Sequence, residues 1–243
     1  MIDDASPDAE TPALLRDIAA EWPDAMRVIT HARNAGFVAS ANEGMREGAP
    51  LDVLLLNSDT EVPTRWLSRL QDEAHAHPAI GTVTPMSNNA TIASFPRFVA
   101  ENPPCLGLST EEIDAAFAET PFESVPSPTG VGFCLYIRRA CLDEVGPFDE
   151  KRFGRGYGEE NDFCQRARAA GWVNVVTPNV YVHHDGGVSF SSEKAGRIET
   201  ALKVLEELHP SYAAQVRTFV EQDPLRQPRA LRHLSLICRS ERP

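Results

Sequence analysis

Apolar residues in this chain follow two alternating rhythms: short continuous runs, and stripes recurring every three or four positions. Met1-Ile2-Asp3-Asp4 reads as the end of a strand. A helix follows, with Asp8 or Thr11 as cap, Pro12 early, and Leu14, Leu15, Ile18 and Ala19 at helical spacing. Met26-Arg27-Val28-Ile29 predicts a short strand, Phe37 to Arg46 a helix, and Asp52-Val53-Leu54-Leu55-Leu56 a buried parallel strand. Trp66, Leu67 and Leu70 mark another helix, and Ile80-Gly81-Thr82-Val83 another strand. Such β-α-β-α alternation implies a parallel sheet covered by helices.

The second half is less regular. Residues 85–128 are rich in Pro, Asn and Ser, with one helical island from Thr110 to Ala118. A connection of that length is expected to be functional or mobile. Strands are predicted over 133–137, 173–176 and 180–182. From Glu193 the pattern turns helical, with Ile198, Leu202, Leu205 and Leu208 on one face. Pro210 breaks it before a further helix, Ser211 to Val220, and the stretch from Asp223-Pro224-Leu225-Arg226 onward reads as a linker with several arginines. No internal repeat is visible.

Bulk properties narrow the class. With 243 residues, 42% hydrophobic and 24% charged, the chain suits one domain with an appendage and a real core. A net charge of −12 argues against a broad nucleic-acid surface, though not against an anionic ligand screened by a metal or by local arginines. Five scattered cysteines without a CxxC pair suggest buried thiols in a reducing compartment. With no apolar run near the ~20 residues that span a bilayer, and no leader-like N-terminus, the expected location is cytoplasmic.

Candidate chemistry concentrates in four places. Arg155-Gly-Tyr-Gly-Glu-Glu-Asn-Asp162 crowds Glu159, Glu160 and Asp162 at the start of an amphipathic helix. Like charges raise one another's proton affinity, as a general base requires, although acids at a helix N-terminus also favour its dipole. Asn57-Ser58-Asp59 follows the apolar run, where open α/β sheets place ligands. Asp59 could hold Mg²⁺ or Mn²⁺ there, and Asn57 could equally close an Asx-turn. Tyr181-Val-His-His-Asp-Gly-Gly187 puts His183 and His184 beside a carboxylate and two glycines, which suits Mn²⁺. Asp3-Asp4-Ala5-Ser6-Pro7-Asp8 offers a carboxylate to a nucleobase or ribose, or simple helix caps.

Taken in order, Ile2-Asp-Asp-Ala-Ser6, Asn34-Ala-Gly-Phe37 with Asn42-Glu-Gly44, Leu55-Leu-Asn-Ser-Asp-Thr60 and Gly158-Glu-Glu-Asn-Asp-Phe-Cys164 resemble the family 2 inverting glycosyltransferases of GT-A fold. Gly132-Phe133, Arg138-Arg139, Val145-Gly-Pro-Phe-Asp-Glu150 and His184 with Gly187-Val-Ser-Phe190 extend the resemblance across residues 1–190. It implies a Rossmann-like, mixed but mainly parallel α/β sheet flanked by helices, with residues 191–243 as a helical extension or linker. Asp4 resembles the acid that contacts the nucleotide base, with Asn34 and Asn57 alongside it in the nucleotide-sugar pocket. Asn57-Ser58-Asp59 occupies the DxD position with Asn in place of the first Asp, so that Asp59 carries most of the metal binding. His184 matches the histidine that completes the metal and diphosphate site, with His183 as the alternative. Glu160 falls where the family usually has an aspartate general base, with Glu159 and Asp162 as rivals.

The resemblance also implies an earlier strand with a Val-Ile-Pro-x-Tyr-Asn-like segment, followed by a helix. Against that pattern the chain reads as N-terminally truncated, or as part of a longer protein with further domains. The expected reaction moves a hexose or deoxyhexose from a nucleotide-diphosphate donor to a glycan or lipid-linked acceptor, using Mn²⁺ or Mg²⁺. Bacterial envelope polysaccharide synthesis and peripheral association with the inner membrane face are the implied setting. A second expectation is a noncatalytic GT-A module of a larger synthase. A nucleotidyltransferase would want a Gly-rich, Lys- or Arg-bearing phosphate loop near the N-terminus, which this sequence lacks.

Overall fold

The computed structural model describes residues 1–186 and 192–240, excluding the side chains of 192–195. Its centre is a five-stranded mixed sheet of order β3-β7-β5-β8-β6, formed by β3 (Val53–Leu56), β5 (Ile80–Met86), β6 (Val125–Ser127), β7 (Cys134–Ile137) and β8 (Val173–Tyr181). β7 runs antiparallel to β3 and β5, β8 parallel to β5, and β6 antiparallel to β8. Strands β3, β5 and β8 therefore share one direction. Two small sheets accompany it: β1 (Ile2–Asp3) parallel to β2 (Ile29–Thr30), and β4 (Thr60–Glu61) antiparallel to β9 (His183–His184).

The strand β7 shows why the sheet needs cover on both sides. Cys134 and Tyr136 enter one core cluster, while Leu135 and Ile137 enter the other, as period-2 alternation requires. All four residues of β7 are buried, whereas only Val53 of β3 is. This differs from the expectation for 52–56. The more apolar β7 takes the interior position, leaving β3 an edge of this sheet with an antiparallel partner and Leu56 exposed. The strands expected over 173–176 and 180–182 are one continuous nine-residue strand.

The helices α2 (Phe37–Glu47), α5 (Arg139–Val145), α6 (Glu150–Phe153) and α7 (Glu159–Ala169) cover one face, and α3 (Trp66–His75) and α4 (Thr110–Glu119) the other. In α2, Val38, Ala41 and Met45 recur at helical spacing and are buried. Ser109 and Glu112 form a capping box that fixes the start of α4. By contrast α1 (Thr11–Glu21) buries no residue, and Asp8 accepts from Glu10 N and Thr11 Oγ1 just ahead of it.

Helix α8 (Ser192–Leu208) turns only half of the expected stripe inward. Ala201 and Leu205 are buried with Leu208 packed beside them, while Ile198 and Leu202 face outward. Full burial of a side chain like Leu205 contributes about 1.5–3 kcal/mol. Helix α9 (Tyr212–Gln222) follows the break at Pro210. Beyond it the expected linker is helical: α10 (Arg226–Ser240) buries Leu236 and sends Arg232 to the carbonyls of Ala116, Thr120 and Pro178. Those carbonyls take the two terminal nitrogens of a buried guanidinium, while its Nε is shielded without a partner.

The long connection after β5 is packed. Ser87, Ala90, Ile92, Ala93, Ser94, Phe95 and Asn102 are buried, and the Asn88 and Asn102 side chains cross-link its backbone.

Candidate active site

Two ladder pairs, Thr60↔His184 and Glu61↔His183, draw the turn after β3 against the end of β8. The Asp185 amide adds a bond to the Asp59 carbonyl at 3.0 Å. This brings Asn57, Asp59 and His184 together, although 125 positions separate the last two in the sequence. The packed connection supplies a platform. Asn88 accepts from the His184 amide at 2.8 Å and donates to its carbonyl at 2.9 Å. His184 Nδ1 lies 2.9 Å from the Asn89 carbonyl, an acceptor only, so Nδ1 carries the ring proton and Nε2 presents a lone pair. That Nε2 faces Asp59 Oδ1 at 3.5 Å and Asn57 Nδ2 at 3.5 Å, with the ring stacked 5.1 Å from Phe133.

Neutral, that nitrogen offers its lone pair to a cation shared with Asp59; protonated, it pairs with the carboxylate directly. One carboxylate oxygen, one imidazole nitrogen and an amide suit Mn²⁺ or a similar ion, with its remaining positions open to a ligand. The donor set fits a divalent metal, though among the described residues no group of three or more His, Cys, Asp or Glu gathers to hold one. His183 instead pairs with Asp185 at 3.1 Å. The expected Gly187 and Val188-Ser189-Phe190 lie outside the described residues.

The acidic turn is built differently. Gly154, Gly156, Tyr157 and Gly158 all adopt positive φ, and Gly158, at φ 87°, caps α7. A Cβ on Gly158 would stand 3.1 Å from Phe153 Cε1 and 3.3 Å from both Ala201 Cβ and Leu205 Cδ1, so only glycine lets the chain pass under α8. The turn then drives Glu159 and Glu160 inward. Glu159 is 5% exposed, and the Oε2 atoms of both glutamates are shielded from solvent with no hydrogen-bond partner. Burial, reinforced by the neighbouring charge of Glu160, pushes Glu159 up to about 8. Burial also raises Glu160, against the opposing pull of backbone N–H groups of the first turn. The helix dipole favours an ionised acid by at most about 1 kcal/mol here, whereas burial can move a carboxyl by several times that, so desolvation wins.

Asp162 has another job. Its Oδ2 accepts from Arg166 Nε at 2.8 Å and its Oδ1 pairs with His209 Nε2 at 2.8 Å. Both oxygens are occupied, and the pair clasps α7 to the end of α8. Tyr212 approaches from α9; burial and the charge of Glu160 push its phenol upward.

Asp4 and Asn34 form a third group. Asp4 accepts from the Ala35 amide at 2.7 Å, the Gly36 amide at 2.8 Å and His31 Nδ1 at 2.7 Å, while Asn34 donates to the Asp4 carbonyl. His31 Nε2 reaches Glu43 at 2.6 Å, so both ring nitrogens point at carboxylates and the ring's affinity for a second proton is raised. Arg155 donates to Asn34 Oδ1 at 2.6 Å, tying this group to the loop before the acidic turn.

Two consecutive residues join the His184 side to the acidic side. Phe133 stacks on His184, and a Cβ on Gly132 would stand 3.6 Å from Glu160 Cδ, Cγ and Oε1.

A sequence profile described as "Glycosyltransferase like family 2" matches residues 5–223. The chain belongs to this glycosyltransferase family. Among relatives, "Uncharacterized protein Rv1525" of Mycobacterium tuberculosis is 30% identical over 165 residues, covering 66% of this chain and 58% of the relative. An N-acetylglucosaminyl-diphospho-decaprenol L-rhamnosyltransferase of the same organism is 26% identical over 159 residues, covering 60% of this chain and 50% of that protein. The chain thus spans little more than half the length of these relatives. Two solved structures share the fold at 16% identity. The mannosyltransferase PcManGT from Pyrobaculum calidifontis, in complex with GDP-Man and Mn²⁺, gives a TM-score of 0.62 over 100% of this chain and 66% of its own. GalNAc-T7 with UDP, GalNAc and Mn²⁺ gives 0.64 over 95% and 47%. The GT-A fold and membership among glycosyltransferases follow.

Sequence reasoning missed Asn88, Asn89, His31, Glu43, His209 and Tyr212. His31 and Glu43 sit within or beside the Asn34 and Asn42 motifs and could have been suspected. Nothing local marks Asn88 or Tyr212, whose partners are about fifty to a hundred positions away.

Proposed function

We propose that this glycosyltransferase transfers a sugar, with inversion, from a nucleotide-diphosphate donor to an acceptor hydroxyl. The observation that carries this reading is the junction at Gly132-Phe133, which sets Glu160 and His184 against adjacent residues. Asp59 and His184 would hold Mn²⁺ or Mg²⁺, with Asn57 beside them. The metal would neutralise charge developing on the departing diphosphate. Both structural neighbours are complexes with Mn²⁺ and a nucleotide or nucleotide sugar, which supports this choice.

Glu160 acts as base. Its carboxyl sits in a desolvated turn with an unbonded oxygen, so it gains by taking the proton of the acceptor hydroxyl as that oxygen attacks the anomeric carbon. A single base acting opposite the leaving group gives inversion. Glu159 shares the pair's proton and tunes Glu160, and the pair titrates as a unit. Asp162 serves as a clasp. The Asp4–His31–Glu43 group shapes the loop at Ala35 and Gly36, with Asn34 on the donor side.

An acceptor carried on a lipid diphosphate fits the name of the rhamnosyltransferase relative. Among the described residues no helix is long and apolar enough to cross a membrane. We assign catalysis to residues 1–190, braced by the helices of 191–243.

Two variants separate the roles. Glu160→Gln is expected to stop transfer while binding UDP or GDP with Mn²⁺ as the parent does. Asp59→Ala is expected to lose the Mn²⁺-dependent part of nucleotide binding in calorimetry. Undiminished turnover in the first, or unchanged affinity in the second, would remove that residue from its role. A noncatalytic module would show neither donor hydrolysis nor transfer.

A further inference from the structure

The five residues leading into the acidic turn are wound in a way that few side chains tolerate. Gly154, Gly156, Tyr157 and Gly158 have φ of 53°, 121°, 76° and 87°, and Arg155 alone of the five lies outside the left-handed region. Three glycines leave this run with many accessible conformations, and a tyrosine at positive φ persists only where its surroundings hold it there. One end is held at Gly158, under Phe153, Ala201 and Leu205.

The other end is held at Arg155, against the loop that opens α2. A Cβ on Gly36 would stand 3.1 Å from Arg155 Cα and 3.3 Å from its Cγ, and one on Gly156 would stand 3.6 Å from Phe37 Cβ. Two loops far apart in sequence therefore lie almost backbone on backbone. Arg155 closes the contact by donating to Asn34 Oδ1 at 2.6 Å, across 121 positions. Asn34 donates to the Asp4 carbonyl at 3.0 Å, and the Asp4 carboxylate receives the Ala35 and Gly36 amides. Contact thus runs without a gap from Asp4 through Asn34 and Arg155 to the peptide links that carry Glu159 and Glu160. Arg155 and Asn34 are both exposed, so water competes for their bond and its strength alone is modest. Its effect comes from what it restrains, a run of left-handed residues ending at a buried carboxyl pair.

We propose that Arg155 is a positioning residue that makes the geometry of Glu160 depend on the loop at Asn34, Ala35 and Gly36. With Asn34 engaged, residues 156–158 keep their turn and Glu160 is presented; with Asn34 released, the turn relaxes. A nucleotide donor that settles the 34–36 loop thereby also sets the base, so donor precedes acceptor. This rests on the assignment of Glu160 as base and of Asn34 to the donor side.

The test compares the full chain with Arg155→Met, which keeps an aliphatic stem against Gly36 and deletes the donors, and Arg155→Lys, which restores one. Without ligand, Arg155→Met is expected to speed backbone amide exchange at 34–37 and at 156–162 together, by roughly tenfold. Exchange in β5 and the unfolding midpoint should stay as in the parent, and Arg155→Lys should recover part of the protection. UDP or GDP with Mn²⁺ should slow exchange at 156–162 in the parent and not in Arg155→Met, while slowing 34–37 in both. In turnover, Arg155→Met should lose roughly tenfold in kcat with the donor KM nearly unchanged. Acceleration confined to one of the two loops overturns the proposal, as does an equal response of 156–162 to nucleotide in parent and variant. Should neither nucleotide bind, the donor assignment fails by itself, and the ligand-free exchange of the two loops still decides the role of Arg155.

Discussion

Two acidic clusters in this molecule have opposite fates. At Asp4, His31 and Glu43, a ring stands between two carboxylates, and Asp4 is further held by two backbone amides. At Glu159 and Glu160 two carboxyl groups share one helix turn, and each leaves an oxygen buried without a partner. Pairing lowers Asp4 and raises His31, so both favour their charged forms. Burial without pairing raises both glutamates, so charge is disfavoured there. Partners turn acids into framework; their absence keeps an acid reactive, at a cost to the fold.

The sharpest way to break this contrast is to remove each glutamate's charge. Glu160→Gln should lower the transfer rate by roughly 10² to 10⁴, whereas Glu159→Gln should retain much more of it. Equal losses in steady-state rates would dissolve the distinction between base and tuning partner.

Stability should move the other way. Because Glu159 is raised from 4.5 to about 8, the folded state holds its proton longer than the unfolded chain does. Stability contributed by this group is therefore lost as pH climbs between those values. Glu159→Gln should be clearly more stable than the parent at pH 8 and nearly equal to it at pH 4. Denaturant titrations at both pH values check this, and a variant less stable at pH 8 would contradict it.

The metal side predicts a smaller change. Asn88→Ala leaves the His184 backbone without its side-chain clamp and should weaken Mn²⁺ affinity by about tenfold, as read by calorimetry. Unchanged affinity would make Asn88 a loop fastener alone.

The smallest effect belongs to the paired cluster. A raised His31 contributes fully below its unfolded value of 6.5 and loses that contribution as pH rises through its folded value; a lowered Asp4 contributes above 3.8 and loses it in acid. Between those limits His31→Gln should melt below the parent, and the gap should narrow in alkaline buffer. A gap independent of pH would deny the ring its charge.

The place of Asn57 and Asp59 in the fold was legible because its signals are local. Asn57-Ser-Asp59 follows an apolar run, and strand-end chemistry is readable from short spacing. The acidic turn was equally visible, with its glycines and crowded acids. What the sequence could not reveal was which acid stays unpaired. Asp162 and Glu160 look alike in a one-dimensional pattern, and only the arrival of Arg166 and His209 separates them. Patterning also misjudged β3, since its apolar residues say how much it wants burial and nothing of how strongly β7 competes for the same place. In α8 the stripe 198–202–205–208 held for Leu205 and Leu208 but failed at Ile198 and Leu202, and it passed over Ala201, which carries too little hydrophobicity to announce itself.

The clasp between Asp162 and His209 bears on how such a protein can be rearranged. A cut at residue 190, where the family resemblance ends, would free Asp162 of one partner, take Tyr212 from beside Glu160 and strip Leu205 from its cluster. The C-terminal helices are thus no exchangeable module. Chimeras that graft another relative's tail onto residues 1–190 would need to carry a histidine and a tyrosine into register with this turn, or inherit an acidic site whose shape nothing enforces.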